Sequence, residues 1–345
     1  MPHSGRVASE LPRAGRRIGL QFMKAAVTTR YGPPEVVRVG EVPTPTPGDH
    51  EVLVRVHASS VCFGDRMFRS GPLLIRVLTG FRPKHRILGV DLAGTVEAIG
   101  AAVTRFAPGD DVYGARGDKF AAHAEFACIA EDGFLARKPA TMTFAEAGTV
   151  FVGAVCSLYF LRKANVKPGE RVLVHGASGS LGVFAVQLAK HFGARVTAVC
   201  GSSNVDLMRS LGADEVIDYT TREFTDGGPV HDVVFDVLGK ARLPRSLQAL
   251  KPGGRYVLVG VDGGPGAILR AVLSGAVAHL AGRARFITGV ADPKQADLVF
   301  LRELIDAGRL RTVIGRRYRF DDIAEAHRYA DTGHKVGNVA VLIAD

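Results

Sequence analysis

The residues whose types and spacing most clearly imply chemistry form a glycine-rich turn near the middle of the chain. Residues 176–182 read Gly-Ala-Ser-Gly-Ser-Leu-Gly, directly after the apolar run 171–175 and before the helix-like apolar spacing of 181–192. Glycines in a strand-to-helix turn let the backbone approach a pyrophosphate, and the N–H groups of the helix start attract the anion. The alternative interpretation, a helix cap in an α/β protein that binds no nucleotide, fits this order of elements less well. The predicted dinucleotide contacts in the turn are Gly176, Ala177, Ser178, Gly179, Ser180, Leu181 and Gly182.

The end of the next strand candidate, residues 195–200, discriminates between the two nicotinamide dinucleotides. Chains that bind NAD usually place an Asp or Glu there, where it holds the ribose hydroxyls. Here Ser202, Ser203 and Asn204 follow the strand, and the first acid is Asp206. An acid would repel the 2′-phosphate of NADPH, whereas small hydroxyl and amide donors accommodate it. The sequence therefore favours NADPH over NADH, with a moderate preference because no Arg or Lys lies in the turn.

The hydrophobic patterning divides the chain into four segments. Residues 1–22 are predicted to be a flexible N-terminal extension, with a transit peptide as the alternative. Residues 23–150 carry short strand candidates and many turns, which predict a β-rich lobe. Residues 151–290 alternate strand and helix candidates, as in βαβ units with a parallel sheet covered on both faces. Residues 291–345 carry a helix and a final strand, and we expect them to return to the first lobe.

The composition limits the classes of protein that the chain can belong to. Its 345 residues exceed what one hydrophobic core usually serves, so we expect two domains. The net charge of +10 comes from scattered basic residues, and no apolar run is long enough to span a membrane. Because the cysteines form no C-x-x-C pair and suggest no disulfide framework, we expect a cytoplasmic protein. The cysteines are Cys62, Cys128, Cys156 and Cys200.

Several motifs, taken together and in order, resemble the zinc-free medium-chain dehydrogenases/reductases of the quinone oxidoreductase (zeta-crystallin-like) type. The resemblance covers nearly all of residues 23–343. It implies a GroES-like β-rich catalytic domain, a Rossmann domain with a doubly wound parallel sheet, an active site in the cleft between them, and a homodimer paired through Rossmann sheet edges. The motifs are KAAV at 24–27, YGPPE at 31–35, EVLVRV at 51–56, RFAPGD at 105–110, VKPGERV at 166–172, the glycine turn, LGAD at 211–214, VIDY at 216–219 and LKPGG at 250–254.

The resemblance also bears on metal binding. Zinc-dependent relatives hold a catalytic metal with a Cys, a His and a third Cys or Asp. Cys62 stands at the first of these positions, but the histidine position reads Gly89-Val90-Asp91. The four-cysteine loop that holds a structural zinc is missing too. Because a catalytic zinc needs three protein ligands, we expect no zinc, and we interpret Cys62 as a pocket-lining residue.

The same stretch supplies the pocket candidates Cys62, Phe63 and Asp65, and no catalytic residue is assigned. Zinc-free relatives often carry Asn and Tyr where this chain has Cys62 and Phe63. The missing phenol favours hydride delivery without an obligatory side-chain acid. Asp65 matches the relatives, and capping of the following turn is its favoured role. Cys156 replaces a Thr that commonly lies near the cofactor.

Five further cofactor contacts are predicted outside the glycine turn. Val259, Gly260 and Val261 should lie near the nicotinamide, because they follow a strand of the parallel sheet. Tyr219 is placed near the adenosine end, although an ordinary buried aromatic at a strand end explains it equally well. Asn338 stands where relatives often have Lys, and we expect it to reach the phosphate region from the C-terminal loop.

These observations predict NADPH-dependent hydride transfer to a small-molecule quinone or α,β-unsaturated carbonyl, without a metal. One alternative is a zinc-free alcohol dehydrogenase or enoyl-thioester reductase of the same fold. An alternative of another class is an RNA-binding protein that retains the dinucleotide fold. The absence of a concentrated basic and aromatic strip argues against nucleic acid binding. Residues 266–285 could attach the protein to a membrane surface, but we favour a helix that packs on the cleft or on the dimer interface.

Overall fold

The computed structural model describes residues 21–117, 120–239, 243–260 and 284–344, together with the single residues 273, 275 and 282. The predicted N-terminal extension lies almost wholly outside the described residues. The predicted cofactor contact Val261 and most of residues 266–285 lie outside them as well. No helix in the described part of the chain is both long enough and apolar enough to cross a membrane.

The first part of the chain builds antiparallel strands and three short helices. The strands alternate between buried and exposed positions where one face meets solvent; in the third strand Val54 and Val56 are fully buried, whereas Arg55 between them is exposed. The strands are β1 (Phe22–Thr28), β2 (Val37–Pro43), β3 (Glu51–Ser60), β4 (Asp91–Ile99), β5 (Asp111–Ala115), β6 (Phe126–Ala130) and β7 (Leu135–Arg137). The helices are α1 (Phe63–Ser70), α2 (Leu73–Thr79) and α3 (Phe144–Ala147).

A π-helical turn at Phe151–Val155 leads into a parallel sheet with helices between its strands. The described strands follow the order β10-β9-β8-β11-β12-β13 and all pair in parallel. Val172, Leu173 and Val174 are fully buried, as expected for a central strand covered on both faces. The elements are α4 (Cys156–Lys163), β8 (Arg171–His175), α5 (Ser180–His191), β9 (Arg195–Cys200), α6 (Val205–Ser210), β10 (Glu215–Asp218), β11 (His231–Asp236), α7 (Leu243–Ala249), β12 (Leu250–Leu258) and β13 (Ala284–Ile287).

The end of the chain rejoins the sheet of the first part. It contains α8 (Gln295–Asp306), β14 (Ile314–Arg319), α9 (Ile323–Asp331) and β15 (Asn338–Leu342). Strand β15 pairs antiparallel with β3, where Ala340 lies opposite Ser60, and parallel with β14. The described strands of this mixed sheet follow the order β14-β15-β3-β4-β5-β7, and β6 also pairs with β3. A β-rich part beside a parallel sheet with helices between its strands agrees with the architecture predicted from the sequence.

The two sheets meet in a shared hydrophobic cluster. Ala93 of β4 and Tyr113 of β5 pack in the same buried cluster as Val172 and Val174 of β8. The buried hydroxyl of Tyr113 donates a 2.7 Å hydrogen bond to the carbonyl of Leu298 in α8. Residues from both parts of the molecule can therefore face one another across a fixed junction.

Candidate active site

The glycine turn lies between β8 and α5, and its three glycines serve different purposes. Gly176 has a φ of +80°, and a Cβ there would lie 2.7 Å from Leu238 Cγ. A Cβ on Gly182 would lie 2.3 Å from the carbonyl oxygen of Gly176, so only glycine lets α5 pack this closely on the turn. A Cβ on Gly179 would have its closest contact at 3.5 Å, an ordinary distance. Gly179 is therefore not required by packing and leaves the start of α5 open to the outside.

A cleft of about 220 Å³ opens in front of this turn. The ends of β8, β9 and β10 form one side, and the loop between α9 and β15 forms the other. The two sides are joined by the N–H of Gly337, which donates to the carbonyl of Ser178 at 2.7 Å. The residues that border the cleft are His175, Gly176, Ser178, Gly179, Val199, Cys200, Gly201, Ser203, Asn204, Tyr219, Leu238, Gly333, His334, Lys335 and Val336.

Some of the residues predicted from the turn support the cleft without bordering it. Ala177 is fully buried beneath the turn, and its N–H donates to the carbonyl of Val199 at 3.0 Å. Leu181 and Gly182 belong to the first turn of α5. Outside the turn, Ser202 is not among the residues that border the cleft, and its hydroxyl lies 3.0 Å from the Thr220 hydroxyl.

Tyr219 follows β10 and borders the cleft with 59% of its side chain exposed, so it is not an ordinary buried strand-end aromatic. Ser203 and Asn204 border the cleft beside it. Like the turn, these residues lie at the carboxyl edge of the parallel sheet, where ligands of such sheets bind.

The side-chain amide of Asn338 makes three hydrogen bonds within the protein. The Ser180 hydroxyl donates to Asn338 Oδ1 at 2.5 Å, and Asn338 Nδ2 donates to Thr312 Oγ1 at 3.1 Å and to the carbonyl of Val313 at 3.2 Å. This buried amide ties β15 to the start of α5. The geometry gives Ser180 and Asn338 a structural role at the edge of the cleft, and the loop residues that border the cleft itself are residues 333–336.

Val259 and Gly260 directly follow β12 at the same carboxyl edge of the sheet. The N–H of Val259 donates to the carbonyl of Asp236 at 3.0 Å. A Cβ on Gly260 would lie 2.5 Å from the carbonyl oxygen of Val237, so the backbone at this position is closely packed. Neither residue is among those that border the cleft.

His175 borders the cleft and is held from below by a buried carboxylate. Its Nδ1 lies 3.0 Å from Asp236 Oδ1, and the Tyr256 hydroxyl donates to Asp236 Oδ2 at 2.7 Å. The N–H groups of Leu238 and Gly239 donate to Asp236 Oδ1 at 3.0 Å each. This network fixes both the imidazole and the loop after β11 at the floor of the cleft.

A second polar centre lies around Asp91, at the start of β4. Its carboxylate accepts hydrogen bonds from the Ser60 hydroxyl at 2.6 Å and from the N–H of Val152 in the π-helical turn at 2.9 Å. Only 2% of Asp91 is exposed, and this burial raises the pKa of its carboxyl to about 7. Asp91 can therefore hold or release a proton at neutral pH.

Cys62, Phe63 and Asp65 begin α1 near this centre. Asp65 is fully buried and accepts hydrogen bonds from the N–H of Cys62 at 2.8 Å and from the N–H of Gly89 at 2.7 Å. It therefore caps α1 and fixes the segment before β4. Burial, together with the negative charge of Asp65, raises the pKa of the Cys62 thiol well above its usual value. Phe63 is 43% exposed.

Lys335 connects the cleft with the Asp91 centre. It is half-buried, and its ammonium group lies 3.4 Å from the carbonyl oxygen of Gly337. Burial lowers the pKa of Lys335, and the charges of the nearby carboxyl groups of Asp91 and Asp65 act in the opposite direction. The cleft thus has a cation at the place where it approaches two buried acids.

Comparison with known proteins gives the family of the chain. Residues 48–150 match the model of the alcohol dehydrogenase GroES-like domain, and residues 211–341 match a model described as zinc-binding dehydrogenase. The chain is 30% identical to a 2-methylene-furan-3-one reductase of Solanum lycopersicum over 331 residues, covering 92% of this chain and 79% of the relative. It is 30% identical to a quinone oxidoreductase of Sus scrofa over 340 residues, covering 94% of this chain and 98% of the relative. The chain belongs to the medium-chain dehydrogenase/reductase family.

A solved structure agrees with this assignment. The quinone oxidoreductase from Coxiella burnetii superimposes with a TM-score of 0.84 and 28% identity, covering 94% of this chain and 100% of that one. The predicted family and the prediction of an enzyme are thereby confirmed, and the protein is an oxidoreductase of the medium-chain family.

In the part of the chain that the structure describes, the residues do not fit a catalytic zinc, although one matched model is named for that metal. Within the described residues, no group of three or more His, Cys, Asp or Glu side chains could hold a metal ion. The Cys62 thiol is stabilised in its protonated form, whereas zinc binds the thiolate. The neighbouring acids Asp65 and Asp91 are engaged by hydrogen bonds from N–H and hydroxyl groups.

Sequence reasoning did not single out His175, Lys335 or Asp91 as site residues. His175 carried a local signal, because it is the last residue of the strand before the glycine turn. Lys335 lies three residues before Asn338, and the path of its loop depends on the bond between Gly337 and Ser178. Asp91 had been noted only as part of a segment that lacks a histidine.

Proposed function

We propose that this oxidoreductase transfers a hydride from NADPH to a conjugated carbonyl acceptor, a quinone or an α,β-unsaturated ketone, without a metal. The observation that carries the proposal is the cleft that joins an open glycine turn to the acid-free end of β9. The names of two relatives, a quinone oxidoreductase and a reductase of a conjugated furanone, support this acceptor class.

The described residues suit a dinucleotide with an extra phosphate. The N–H groups at the start of α5, together with Ser178, would hold the pyrophosphate. Ser203 and Asn204 would meet the 2′-phosphate with hydroxyl and amide donors, and Tyr219 would pack on the adenosine part. Val259, Gly260 and Val261 are proposed to lie toward the nicotinamide. When bound, NADPH supplies the hydride.

The chain also carries groups that suit the charge produced on the acceptor. A quinone that takes up a hydride leaves a negative oxygen, and one proton completes the hydroquinone. We propose that the Lys335 ammonium stabilises this oxygen electrostatically. We also propose that the protonated carboxyl of Asp91 supplies the proton to this oxygen and is left as a carboxylate. The burial of both groups strengthens such an interaction, because water screens it less.

The wider organisation follows the same proposal. We propose a catalytic domain formed by residues 23–150 and 291–345, and a cofactor domain formed by residues 151–290. In the described part of the chain β13 lies at one edge of the parallel sheet, which leaves an edge for a second copy in a homodimer. All four cysteines are free, which suits the reducing cytoplasm in which we propose the protein to work.

A panel of acceptors tests the proposed function. Purified protein is treated with a metal chelator and mixed with NADPH or NADH and, in turn, a 1,4-quinone, an α,β-unsaturated ketone, an enoyl thioester and an aldehyde. The proposal expects NADPH oxidation with the quinone or the enone, at rates unchanged by the chelator. If only the enoyl thioester or the aldehyde is reduced, the proposed acceptor class is wrong and that substrate takes its place. No oxidation and no cofactor binding would refute the proposal and favour the RNA-binding alternative.

A further inference from the structure

The segment that follows α1 exposes an unusual set of apolar side chains. Leu73 is 69% exposed, Val77 is 66% exposed and Phe81 is 80% exposed. Leu73 and Val77 are four residues apart on α2 and therefore lie on the same face of the helix. We call these three side chains the apolar tip. Their exposure is costly in water unless another apolar phase covers them.

The apolar tip is held outward by contacts on the other side of the segment. The Tyr31 ring packs against Gly71, where a Cβ would lie 2.2 Å from it, and the Tyr31 hydroxyl donates to the carbonyls of Gly80 and Arg82 at 3.1 Å each. The Arg76 guanidinium lies 5.3 Å from the centre of the same ring and donates to the carbonyl of Gly71 at 2.5 Å. Tyr31 thus anchors both ends of α2, while the side chains of the tip stay exposed to solvent.

Every Lys, Arg, Asp or Glu in and around this segment is a cation, because residues 66–90 contain no Asp or Glu. Arg66 and Arg69 pair with Asp331 in α9, and Arg76 is half-buried against Tyr31. The three cations that follow the tip, Arg82, Lys84 and Arg86, are exposed to solvent. The six cations are Arg66, Arg69, Arg76, Arg82, Lys84 and Arg86.

We propose that this segment docks the protein on the surface of an anionic lipid bilayer. The apolar tip enters the boundary between headgroups and acyl chains, and Arg82, Lys84 and Arg86 lie at the anionic headgroups. A symmetric contact between two copies of this face would place these cations against one another, because a two-fold interface brings the same patch together. An anionic bilayer offers an apolar interior for the tip and a negative surface for the cations beside it. The proposal does not depend on the reaction that the protein catalyses.

Vesicle co-sedimentation tests this proposal with the full-length protein. Wild-type protein is spun with vesicles of phosphatidylcholine and phosphatidylserine, and in parallel with vesicles of phosphatidylcholine alone. We expect binding to the anionic vesicles that falls at high salt, and little binding to the neutral vesicles. Wild-type protein that stays in the supernatant with anionic vesicles at low salt would overturn the proposal.

Two sets of variants distinguish the effect of the apolar tip on vesicle binding from the effect of the protein's net charge. The triple variant Leu73→Ser, Val77→Ser, Phe81→Ser should weaken binding by at least about tenfold, because apolar insertion is lost. Its control is Val290→Ser, which changes a residue that is 91% exposed elsewhere on the surface. The charge variant is Arg82→Gln, Lys84→Gln, Arg86→Gln, and its control with equal net charge is Arg38→Gln, Arg195→Gln, Arg317→Gln.

The outcomes discriminate between docking and its alternatives. Loss of binding in both segment variants, with both controls binding as wild type, supports the proposal. Equal loss in the charge control would show that net charge alone drives binding and would overturn it. A change of oligomeric state in the tip variant, seen by light scattering, without a change in vesicle binding would instead assign the face to a second copy. If the triple tip variant fails to fold, Phe81→Ser alone replaces it, with the same expected direction.

Discussion

The N–H of Gly337 donates a 2.7 Å hydrogen bond to the carbonyl of Ser178, and this bond fastens the C-terminal loop across the glycine turn. Gly337 has a φ of +55°, and a Cβ there would lie 2.2 Å from the carbonyl oxygen of Val313, so the crossing requires glycine. The bond fixes the loop that places Lys335 at the border of the cleft, where Asp91 and Asp65 act electrostatically on its ammonium group.

Gly179→Ala and Gly182→Ala should fail in different ways. A Cβ at position 182 lies 2.3 Å from a backbone oxygen, so Gly182→Ala should lower the free energy of unfolding by about 2 kcal/mol or more. A Cβ at position 179 meets only an ordinary contact, so Gly179→Ala should fold normally and weaken NADPH binding by at least about tenfold. Urea denaturation and NADPH fluorescence titration measure the two effects. Equal losses of stability in the two variants would contradict the assignment.

Ser203→Asp should reverse the cofactor preference. The new carboxylate would border the cleft, where it repels a 2′-phosphate and can hold ribose hydroxyls. We expect the ratio of kcat/KM with NADPH to that with NADH to fall by at least about tenfold. Ser203→Asn, which has the same shape without the charge, is the control and should keep the wild-type ratio. An unchanged ratio in Ser203→Asp would place the 2′-phosphate elsewhere.

Lys335→Gln should lower kcat for the quinone by about 10²-fold, because removing a preorganised electrostatic partner costs roughly this much. The pKa of Lys335 is lowered by burial, so wild-type activity should fall as the pH rises through it, below the usual pKa of lysine. The variant should lose this alkaline limb, and Lys335→Arg should retain the charge and much of kcat. Stopped-flow rates across pH give these values. Weaker NADPH binding with unchanged kcat would instead make Lys335 a cofactor ligand.

Asp91→Asn should change how stability depends on pH. The carboxyl has a pKa of about 7 in the folded protein, above the value of 3.8 for a free aspartate, so the folded state binds the extra proton. The stabilisation is fully present below about pH 4 and is lost as the pH rises through about 7. The asparagine variant should therefore lose less stability between about pH 5 and 8 than wild type, measured by urea midpoints. Asp206→Asn, at a residue that is 96% exposed, is the control and should show the wild-type slope.

His327→Leu should reduce the loss of stability that the protein suffers at acid pH, whereas Asp91 makes stability fall as the pH rises. His327 is fully buried in α9, and both of its ring nitrogens lack a hydrogen-bond partner. Burial, with the nearby His123 and Arg69, holds its pKa well below 6.5, so the unfolded chain takes up the proton first. Its contribution to stability is present above about pH 6.5 and is lost as the pH falls.

Thermal unfolding at about pH 5 and 7.5 checks this expectation for His327. The leucine variant should lose less of its melting temperature on acidification than wild type does. His50→Gln, at an exposed imidazole, is the control. The same acid shift in the leucine variant as in wild type would show that other groups set the sensitivity.

The sequence predicts those parts of the site that depend on neighbouring residues, and it does not predict those that depend on contacts between distant residues. The glycine turn between β8 and α5 could be predicted, because its signals are local: a strand, a turn with glycines and a helix start. The fold class could be predicted from the alternation of strand and helix candidates and from the family resemblance. Tyr219 follows β10, a local placement that also put it at the carboxyl edge of the sheet.

The remaining site residues depend on contacts between distant parts of the chain. Asn338 is predicted to reach the cofactor phosphates, and its contacts to Ser180, Thr312 and Val313 depend on distant parts of the chain that no local pattern indicates. Lys335, three residues earlier, borders the cleft instead, because the Gly337 bond fixes the loop. Asp91 becomes a titrating group only where β4 meets the π-helical turn, which no local pattern indicates.

Metal-free hydride transfer from NADPH bound at the glycine turn is tested by the initial rate of NADPH oxidation with a 1,4-quinone, measured after chelator treatment in wild-type protein and in Gly179→Ala. Wild type should turn over at a rate that the chelator does not change, and the rate at low NADPH concentration should be at least about tenfold lower in the variant. A rate abolished by the chelator, or a variant as active as wild type at low NADPH, would contradict metal-free transfer from this site.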